Sequence, residues 1–166
     1  MFDEPQSAPA PQNRFRELKF YKPRPNGQGA ASTWSFVPEK EAVFLKVAAQ
    51  VPSDGEHARF DWEKGLTLKL GLPDLGELLA VLTGRKPGAG PKRDDGKFAG
   101  LFHRSPRGDA SLAFVRSTGE DGFYMKIGVR KDGAELKTAA HSLTEGESCV
   151  LQVALQAAVA AITGLA

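Results

Sequence analysis

Two short stretches of the sequence place an aromatic residue two positions before a lysine. They are residues 43–50 (VFLKVAAQ) and residues 123–130 (FYMKIGVR). The aromatic residues are Phe44 and Tyr124, and the lysines are Lys46 and Lys126. An aromatic ring can stack on a nucleobase while a neighbouring lysine meets a phosphate, and a single nucleic-acid strand offers both groups. The spacing therefore predicts that the two rings stack bases and that the two lysines contact phosphates.

Strand alternation indicates which side chains share a face with these residues. In the first stretch the predicted core face holds Val43, Leu45, Val47, Ala49 and Val51, and the opposite face holds Phe44, Lys46, Ala48 and Gln50. In the second stretch the predicted core face holds Phe123, Met125, Ile127 and Val129, and the opposite face holds Tyr124, Lys126, Gly128 and Arg130. Each exposed face thus carries an aromatic residue, a lysine and a small residue in line. The small residue leaves room for a flat group to approach.

Other predicted strands extend this candidate nucleic-acid-binding surface. Its remaining members are Lys19, Tyr21, Lys22, Trp34 and Arg116 on those strands and Arg130 on the second stretch, and Arg104 offers a similar cation. Trp34 is expected to stack a base if its face points outward, and Lys19, Arg116 and Arg130 are expected to extend a basic track. The competing interpretation is that exposed aromatic residues brace cross-strand pairs and that lysines keep a sheet face soluble. The repeated spacing favours nucleic-acid binding, because solubility does not require the same spacing twice.

The elements that position these residues occur in the same order twice. Strands are predicted at residues 18–22, 31–37, 42–51 and 66–72, and again at 98–104, 110–116, 123–131 and 135–140. Each set is followed by a helix, whose start is marked by a capping-box pair, Asp74 with Glu77 and Thr144 with Glu147. The predicted fold is therefore α+β, with two antiparallel four-stranded sheets and two helices in the order ββββαββββα.

The chain is predicted to contain one nucleic-acid-binding domain, residues 14–166, built from halves at about 14–84 and 97–166. Residues 1–13, rich in Pro, Ala and Gln, are predicted to be a disordered tail. Between the halves, residues 85–97 (RKPGAGPKRDDGK) are predicted to form a mobile loop.

Composition argues against several classes of function. The formal net charge is only +2, so any basic surface must be local. A single cysteine, Cys149, excludes an intramolecular disulfide and is predicted to be a small core residue. His57, His103 and His141 have no metal-ligand spacing, so we predict a non-enzymatic protein without a catalytic, metal or cofactor site. With no signal-peptide pattern at its start, the chain is expected to be cytoplasmic and associated with the nucleoid.

The order of the motifs resembles the Whirly family of single-stranded DNA-binding proteins, whose superfamily includes the kinetoplastid guide-RNA-binding proteins and the coactivator positive cofactor four. The residues that carry the resemblance are 34–50 (WSFVPEKEAVFLKVAAQ), 60–82 (FDWEKGLTLKLGLPDLGELLAVL) and 100–105 (GLFHRS). It implies two four-stranded sheets per subunit, four subunits, and DNA lying across sheet faces between neighbours. The family's lysine-bearing KGKAAL segment is replaced here by GQGAAS (27–32), so Lys19, Tyr21, Lys22 and Arg24 are expected to supply those contacts.

The last predicted helix, residues 145–162, is apolar on nearly every side. Between residues 149 and 165 the only polar side chains are Gln152, Gln156 and Thr163. A helix on the surface of a monomer would keep a charged face. The pattern therefore predicts a closed homo-oligomer, a tetramer as the resemblance implies, with these helices at its centre.

The predicted function is sequence-tolerant binding of single-stranded DNA in replication, recombination, repair or transcription. One alternative is an RNA-binding or RNA-annealing protein, because stacking and phosphate contacts do not depend on the sugar. A second alternative is an oligomeric protein-interaction scaffold that binds no nucleic acid. The alternatives differ in salt dependence, since phosphate binding must weaken steeply as the salt concentration rises.

Overall fold

The computed structural model describes residues 17–119 and 122–165, so the predicted tail at residues 1–13 lies outside the described residues. The first half comprises β1 (Leu18–Lys22), β2 (Ala30–Val37), β3 (Ala42–Val51), β4 (Arg59–Phe60), β5 (Leu66–Leu70) and helix α1 (Leu72–Leu82). The second half comprises β6 (Leu101–Ser105), β7 (Gly108–Arg116), β8 (Phe123–Lys131), β9 (Lys137–Leu143) and helix α2 (Glu145–Thr163). A single 3-10 turn, Pro38–Lys40, joins β2 to β3.

The strands form two antiparallel sheets, as predicted. The first sheet has the order β1-β2-β3, with β5 pairing with the first half of β3 and the two-residue β4 pairing with its last two residues. The second sheet has the order β6-β7-β8-β9. The predicted α+β order is therefore confirmed, with β4 as one additional short strand.

The hydrogen-bond register of the first sheet is repeated in the second. Lys46 lies opposite Thr33, and Lys126, eighty residues later, lies opposite Ala113. The small residues that follow are placed in the same way, with Ala48 opposite Ala31 and Gly128 opposite Ser111. The repeated sequence pattern is therefore also a repeat in three dimensions.

The core lies between the inner faces of the sheets and the two helices. Its largest fully buried side chains include Trp34, Leu45, Leu70, Leu75, Leu78, Leu112, Phe114, Phe123, Met125, Ile127, Leu143 and Leu151. The predicted core faces of β3 and β8 are confirmed at Val43, Leu45, Val47, Phe123, Met125 and Ile127. Towards the end of β3 the prediction is wrong, because Ala49 is exposed and Ala48 is fully buried.

Helix α1 begins three residues before the predicted start. Its N-cap is Gly71, whose backbone N–H donates to Asp74 Oδ2 at 2.9 Å, and Pro73 occupies the first turn, where its missing N–H is tolerated. Glu77 is therefore not a capping residue; its Oε2 accepts hydrogen bonds from Lys86 Nζ at 2.6 Å and from the Gly90 N–H at 2.9 Å.

Helix α2 has the predicted capping box. The Glu147 N–H donates to Thr144 Oγ1 at 3.1 Å, and the Thr144 N–H donates to Glu147 Oε2 at 2.8 Å. The helix ends at Gly164, whose φ of 72° is a left-handed conformation that glycine adopts without strain.

Part of residues 85–97, the segment predicted to be a mobile loop, is paired with the second sheet. The Arg116 N–H donates to the Pro87 carbonyl at 2.8 Å, and the Ala89 N–H donates to the Phe114 carbonyl at 2.9 Å. The segment thus pairs with the end of β7, on the same side of β7 where β6 pairs with its beginning. The Lys86–Glu77 ion pair fixes the start of the segment to α1.

Candidate nucleic-acid interface

The two sheets each turn one face away from the core, and these faces carry most of the predicted binding residues. The first outer face comprises Lys19, Tyr21, Ala31, Thr33, Phe44, Lys46, Ala48, Thr67 and Lys69. The second outer face comprises Phe102, Arg104, Asp109, Ser111, Ala113, Tyr124, Lys126, Gly128, Arg130, Thr138 and Ala140. Both faces thus combine aromatic rings, cations and small residues.

On the second outer face the cations are unpaired. Lys126 is exposed and lies between the small residues Ala113 and Ala140. Tyr124 is 38% exposed, and Arg130 lies further along the same strand face. Among the described residues, neither Lys126 nor Arg130 forms an ion pair. These groups are therefore available to a phosphate and a base without first losing a partner.

On the first outer face the equivalent aromatic residue and lysine already contact other residues of the protein. Phe44 is half-buried, and Lys40 Nζ lies 5.2 Å from the centroid of its ring. Lys46 is also half-buried, with its stem over Gly65: a Cβ on that glycine would lie 2.6 Å from Lys46 Cε. The Lys46 ammonium lacks an ion-pair partner among the described residues. It remains the phosphate-binding candidate of this face.

Lys19 is held by a carboxylate. Its Nζ lies 3.2 Å from Glu17 Oε2, and Glu17 Oε1 accepts a 2.7 Å hydrogen bond from Thr33 Oγ1. The hydrogen bonds from Thr33 and Lys19 hold the pKa of Glu17 below its usual value, so the carboxylate stays charged. The hydrogen bond to Glu17 in turn raises the pKa of Lys19. The positive charge of Lys19 is thus largely offset.

Tyr21 is the most exposed aromatic residue of the first outer face. Its side chain is 53% exposed, and its ring centroid lies 5.9 Å from that of Phe60 in a tilted arrangement. Tyr21 is paired across the sheet with Ala31, which is paired with Ala48. Ala48, at the end of this row, is fully buried, although its strand face was predicted to be exposed.

Trp34 does not lie on an outer face, so the prediction that it stacks a base is wrong. Strand alternation places it on the inner face of β2, opposite Leu18 and Leu45, and it is fully buried. A tryptophan provides the largest apolar surface of any side chain, and here that surface fills the core.

Lys22 and Arg116 also lie away from the outer faces. Lys22 forms an ion pair with Glu147, and Arg116 donates to Glu145 Oε1 at 2.8 Å with its guanidinium 4.7 Å above the ring of Phe123. Both glutamates belong to the first turn of α2. The two cations thus tie each sheet to the start of that helix, and they are not brought together with Lys46 or Lys126.

Phe102 is absent from the predicted set, and its contact with Arg104, which was named only as a similar cation, was not predicted. Phe102 is 56% exposed, and the guanidinium of Arg104 lies 5.5 Å from the centre of its ring. The alternation in residues 101–105 (LFHRS), with an apolar residue first, contains the signal that could have found them, because it separates Leu101 and His103 from Phe102 and Arg104.

A cavity of about 300 Å³ lies beside the end of β1 and is lined in part by Lys22, Arg24, His141 and Thr144. His141 is 3% exposed, and its Nδ1 lies 3.1 Å from the Ser142 carbonyl oxygen. Burial lowers the pKa of His141, so this imidazole is neutral at neutral pH. Burial alone would raise the pKa of Glu147, but hydrogen bonds from Lys22 and from the Thr144 N–H lower it.

No group of three or more metal-ligating side chains occurs in the described residues.

The outer side of α2 is apolar and exposed. Ser148, Leu151, Leu155 and Ala158 are buried against the sheets and α1, whereas Val150 and Val153 are 53% and 66% exposed. Ala157 and Ala161 continue the exposed stripe. Cys149 lies on the exposed side of the helix, so its predicted place in the core is wrong.

Comparison with known proteins shows similarity of fold. No protein-family model and no curated protein matches the chain. The solved structure of WHY1 from Arabidopsis thaliana is 17% identical with a TM-score of 0.66, and the match covers 90% of this chain and 86% of that one. A guide-RNA-binding protein in a complex bound to a guide RNA is 17% identical with a TM-score of 0.62, over 89% and 92% of the two chains.

The plant transcriptional regulator PBF-2 is 19% identical with a TM-score of 0.62, over 90% of this chain and 83% of that one. These matches each cover about nine tenths of this chain. They confirm, at the level of fold, the resemblance found in the sequence. The chain has the fold that is shared by the Whirly proteins and the guide-RNA-binding proteins.

Proposed function

We propose that this chain is a non-enzymatic, sequence-tolerant single-stranded DNA-binding protein that acts in replication, recombination, repair or transcription. The observation that carries the proposal is the repeat of Phe44 and Lys46 by Tyr124 and Lys126 on the outer faces of two separate sheets. Each pair is flanked by small residues in the same register. A purely structural explanation would have to account twice for the same outward-facing arrangement.

A single strand fits these faces better than a duplex does. In a duplex the bases are already stacked on each other, so an exposed ring gains little from them. In a single strand each base has a free face, and stacking on an aromatic residue contributes about 1–3 kcal/mol per base. Every base has such a face, and this accounts for the proposed tolerance of sequence.

The second candidate is an RNA-binding or RNA-annealing protein. One of the similar folds is seen bound to a guide RNA, and the contacts proposed here do not read the sugar. The third candidate, a protein-interaction scaffold, would use the same exposed rings against a polypeptide. It predicts weak salt dependence, because an apolar protein interface releases few counterions.

A binding titration with single-stranded DNA, single-stranded RNA and duplex DNA of equal length tests the proposal. The result expected is tight binding of single-stranded DNA, weaker binding of the duplex, and an affinity that falls steeply as salt rises. Tighter binding of the RNA would favour the second candidate. No binding of any of the three at low salt would refute all nucleic-acid functions and leave the scaffold.

We also infer that the chain forms a homo-oligomer, with four subunits as the predicted number, through the exposed stripe of α2. Val150, Val153 and Ala157 expose apolar surface that only a partner can cover, and the alanines allow another helix to approach closely. By length and composition α2 could also cross a membrane. We favour the oligomer because Leu151 and Leu155 on the other side of the helix are fully buried in the protein core.

The variant Ala157→Glu tests this assembly. A buried, unpaired carboxylate at the centre of the interface should reduce the mass measured by light scattering. Gln156→Glu adds the same charge one residue away and serves as a control for charge alone. A wild-type protein that has the mass of a monomer at micromolar concentration would refute the inference.

A further inference from the structure

We propose that Phe102, with Arg104 beside it, forms a base-stacking subsite on the second outer face, equivalent to the place of Tyr21 on the first. This inference rests on the proposed function and names a further part of the same surface. It assigns a nucleobase to the Phe102 ring and a phosphate to the Arg104 guanidinium.

The pairing register places Phe102 and Tyr21 in equivalent positions. On the first sheet, Tyr21 of the edge strand β1 lies opposite Ala31, which lies opposite Ala48. On the second sheet, Phe102 of the edge strand β6 lies opposite Ser111, which lies opposite Gly128. Each sheet therefore has a row that begins with an aromatic ring and continues across two small residues. This aromatic row lies next to the row that holds the central lysine, Lys46 or Lys126.

The ring of Phe102 is open to solvent. At 56%, it is the most exposed aromatic residue of the two outer faces, ahead of Tyr21 at 53% and Tyr124 at 38%. The one charged group over its ring is Arg104, with the guanidinium 5.5 Å from the ring centre. Arg104 makes no ion pair among the described residues, so its charge remains available to a phosphate while its stem supports the ring.

The row beside Phe102 is bounded by Leu136. Gly128 is buried, and a Cβ on it would lie 3.0 Å from Ser111 Oγ and 3.4 Å from Leu136 Cδ1, so these side chains cover the glycine. Leu136, itself 52% exposed, borders the row near β9. Strands are spaced about 4.8 Å apart, so the row from β6 to β9 is roughly 14 Å wide. A base stacked on Phe102 can extend over the partly exposed Ser111 as far as Leu136.

The experiment compares two probes, an oligothymidylate and an oligodeoxynucleotide of the same length in which every site is abasic. The abasic strand keeps the phosphates and has no rings to stack. For Phe102→Ala we expect the affinity for oligothymidylate to fall about five- to 150-fold, the range that corresponds to one stacked base, while the affinity for the abasic strand is unchanged. Phe102→Tyr keeps a ring and should restore binding. Lys126→Ala should weaken binding of both probes.

Three results would overturn the inference. The first is wild-type affinity of Phe102→Ala for oligothymidylate. The second is an equal loss for both probes, which would show that Phe102 acts through the fold or through Arg104. The third is a change in oligomer mass in the variant, which would place Phe102 in a contact between copies of the chain. If the wild-type protein binds neither probe, the proposed function fails along with this subsite. If the wild-type protein binds both probes and Phe102→Ala binds them with unchanged affinity, only the subsite fails.

Discussion

The two outer faces have the same register and differ in how far their charged groups are already engaged. On the first face Lys19 is paired with Glu17, and Phe44 has Lys40 over its ring. On the second face Lys126 and Arg130 form no ion pair among the described residues, and Tyr124 is more exposed than the half-buried Phe44. A repeat of the backbone therefore does not imply an equal share of the binding energy. We expect the second face to contribute more.

The largest difference is expected between two pairs of lysine and arginine substitutions. Lys126→Ala with Arg130→Ala removes two unpaired cations, so the log–log salt dependence of single-strand binding should flatten by about 1.4, or about 0.7 per phosphate contact. Lys19→Ala with Lys46→Ala should flatten it by about 0.7, because the charge of Lys19 is offset by Glu17. Fluorescence anisotropy at several salt concentrations measures both slopes. Equal slopes for the two double variants would show that the faces do not differ.

The aromatic residues should show the same asymmetry with a smaller effect. Tyr124→Ala should weaken binding by about 1–3 kcal/mol if one base stacks on the ring, with little loss of stability. Phe44→Ala should weaken binding less and lower the unfolding free energy more, because its ring is half-buried and contacts Lys40. Binding titrations and urea denaturation of the two variants give the comparison. A reversed order of the two affinity losses would contradict it.

A single change should make the first face more like the second. Glu17→Gln keeps a hydrogen-bond acceptor for Thr33 but removes the charge that offsets Lys19. The affinity for single-stranded DNA at low salt should rise modestly, and the salt dependence should steepen towards one further phosphate contact. Glu63→Gln removes one negative charge from a loop residue outside both outer faces and controls for net charge. An effect of the same size in both variants would show that only net charge matters.

A change of pH is expected to affect nucleic-acid binding least. Its clear effect is on the free energy of unfolding. The folded protein lowers the pKa of His141 mainly by burial, so the unfolded chain takes up this proton first as the pH falls through 6.5. The pKa values of Glu17, Glu77 and Glu147 are also lowered, so their contribution to stability is present above about 4.5 and is lost as the pH falls through their folded values.

The unfolding free energy should therefore decline from about pH 6.5 downwards. His141→Gln should remove the part of the decline that lies nearest pH 6.5, while the part due to the glutamates remains. Urea denaturation at a series of pH values measures this. A decline of the same size and position in His141→Gln would show that His141 is not responsible.

The central strands and the helix α2 could be predicted from the sequence because their signals are local. Strands β3 and β8 were expected at residues 42–51 and 123–131, which are their observed bounds, since each has an apolar alternation over most of its length. The capping box at Thr144 and Glu147 marked the start of α2 correctly. The repeat of the two halves followed from these same patterns.

The features that were missed depend on contacts between distant parts of the chain. Pro87 and Ala89 are paired with the end of β7 through backbone hydrogen bonds, which a polar, glycine-rich sequence does not reveal. The burial of Trp34 depends on which face of β2 meets the core, and the exposure of Phe102 depends on its place in an edge strand. The ion pairs that Lys22 and Arg116 form with glutamates of α2 could likewise not be predicted from the spacing of these residues.

The salt dependence of single-strand binding by the Lys46→Ala/Lys126→Ala double variant tests the central claim most directly. These lysines occupy equivalent positions on the two faces, and circular dichroism can verify that the fold is intact. If both meet phosphates, the log–log slope should flatten by about 1.4 relative to the wild-type protein, with a matching loss of affinity at low salt. An unchanged slope in a folded double variant would contradict the account.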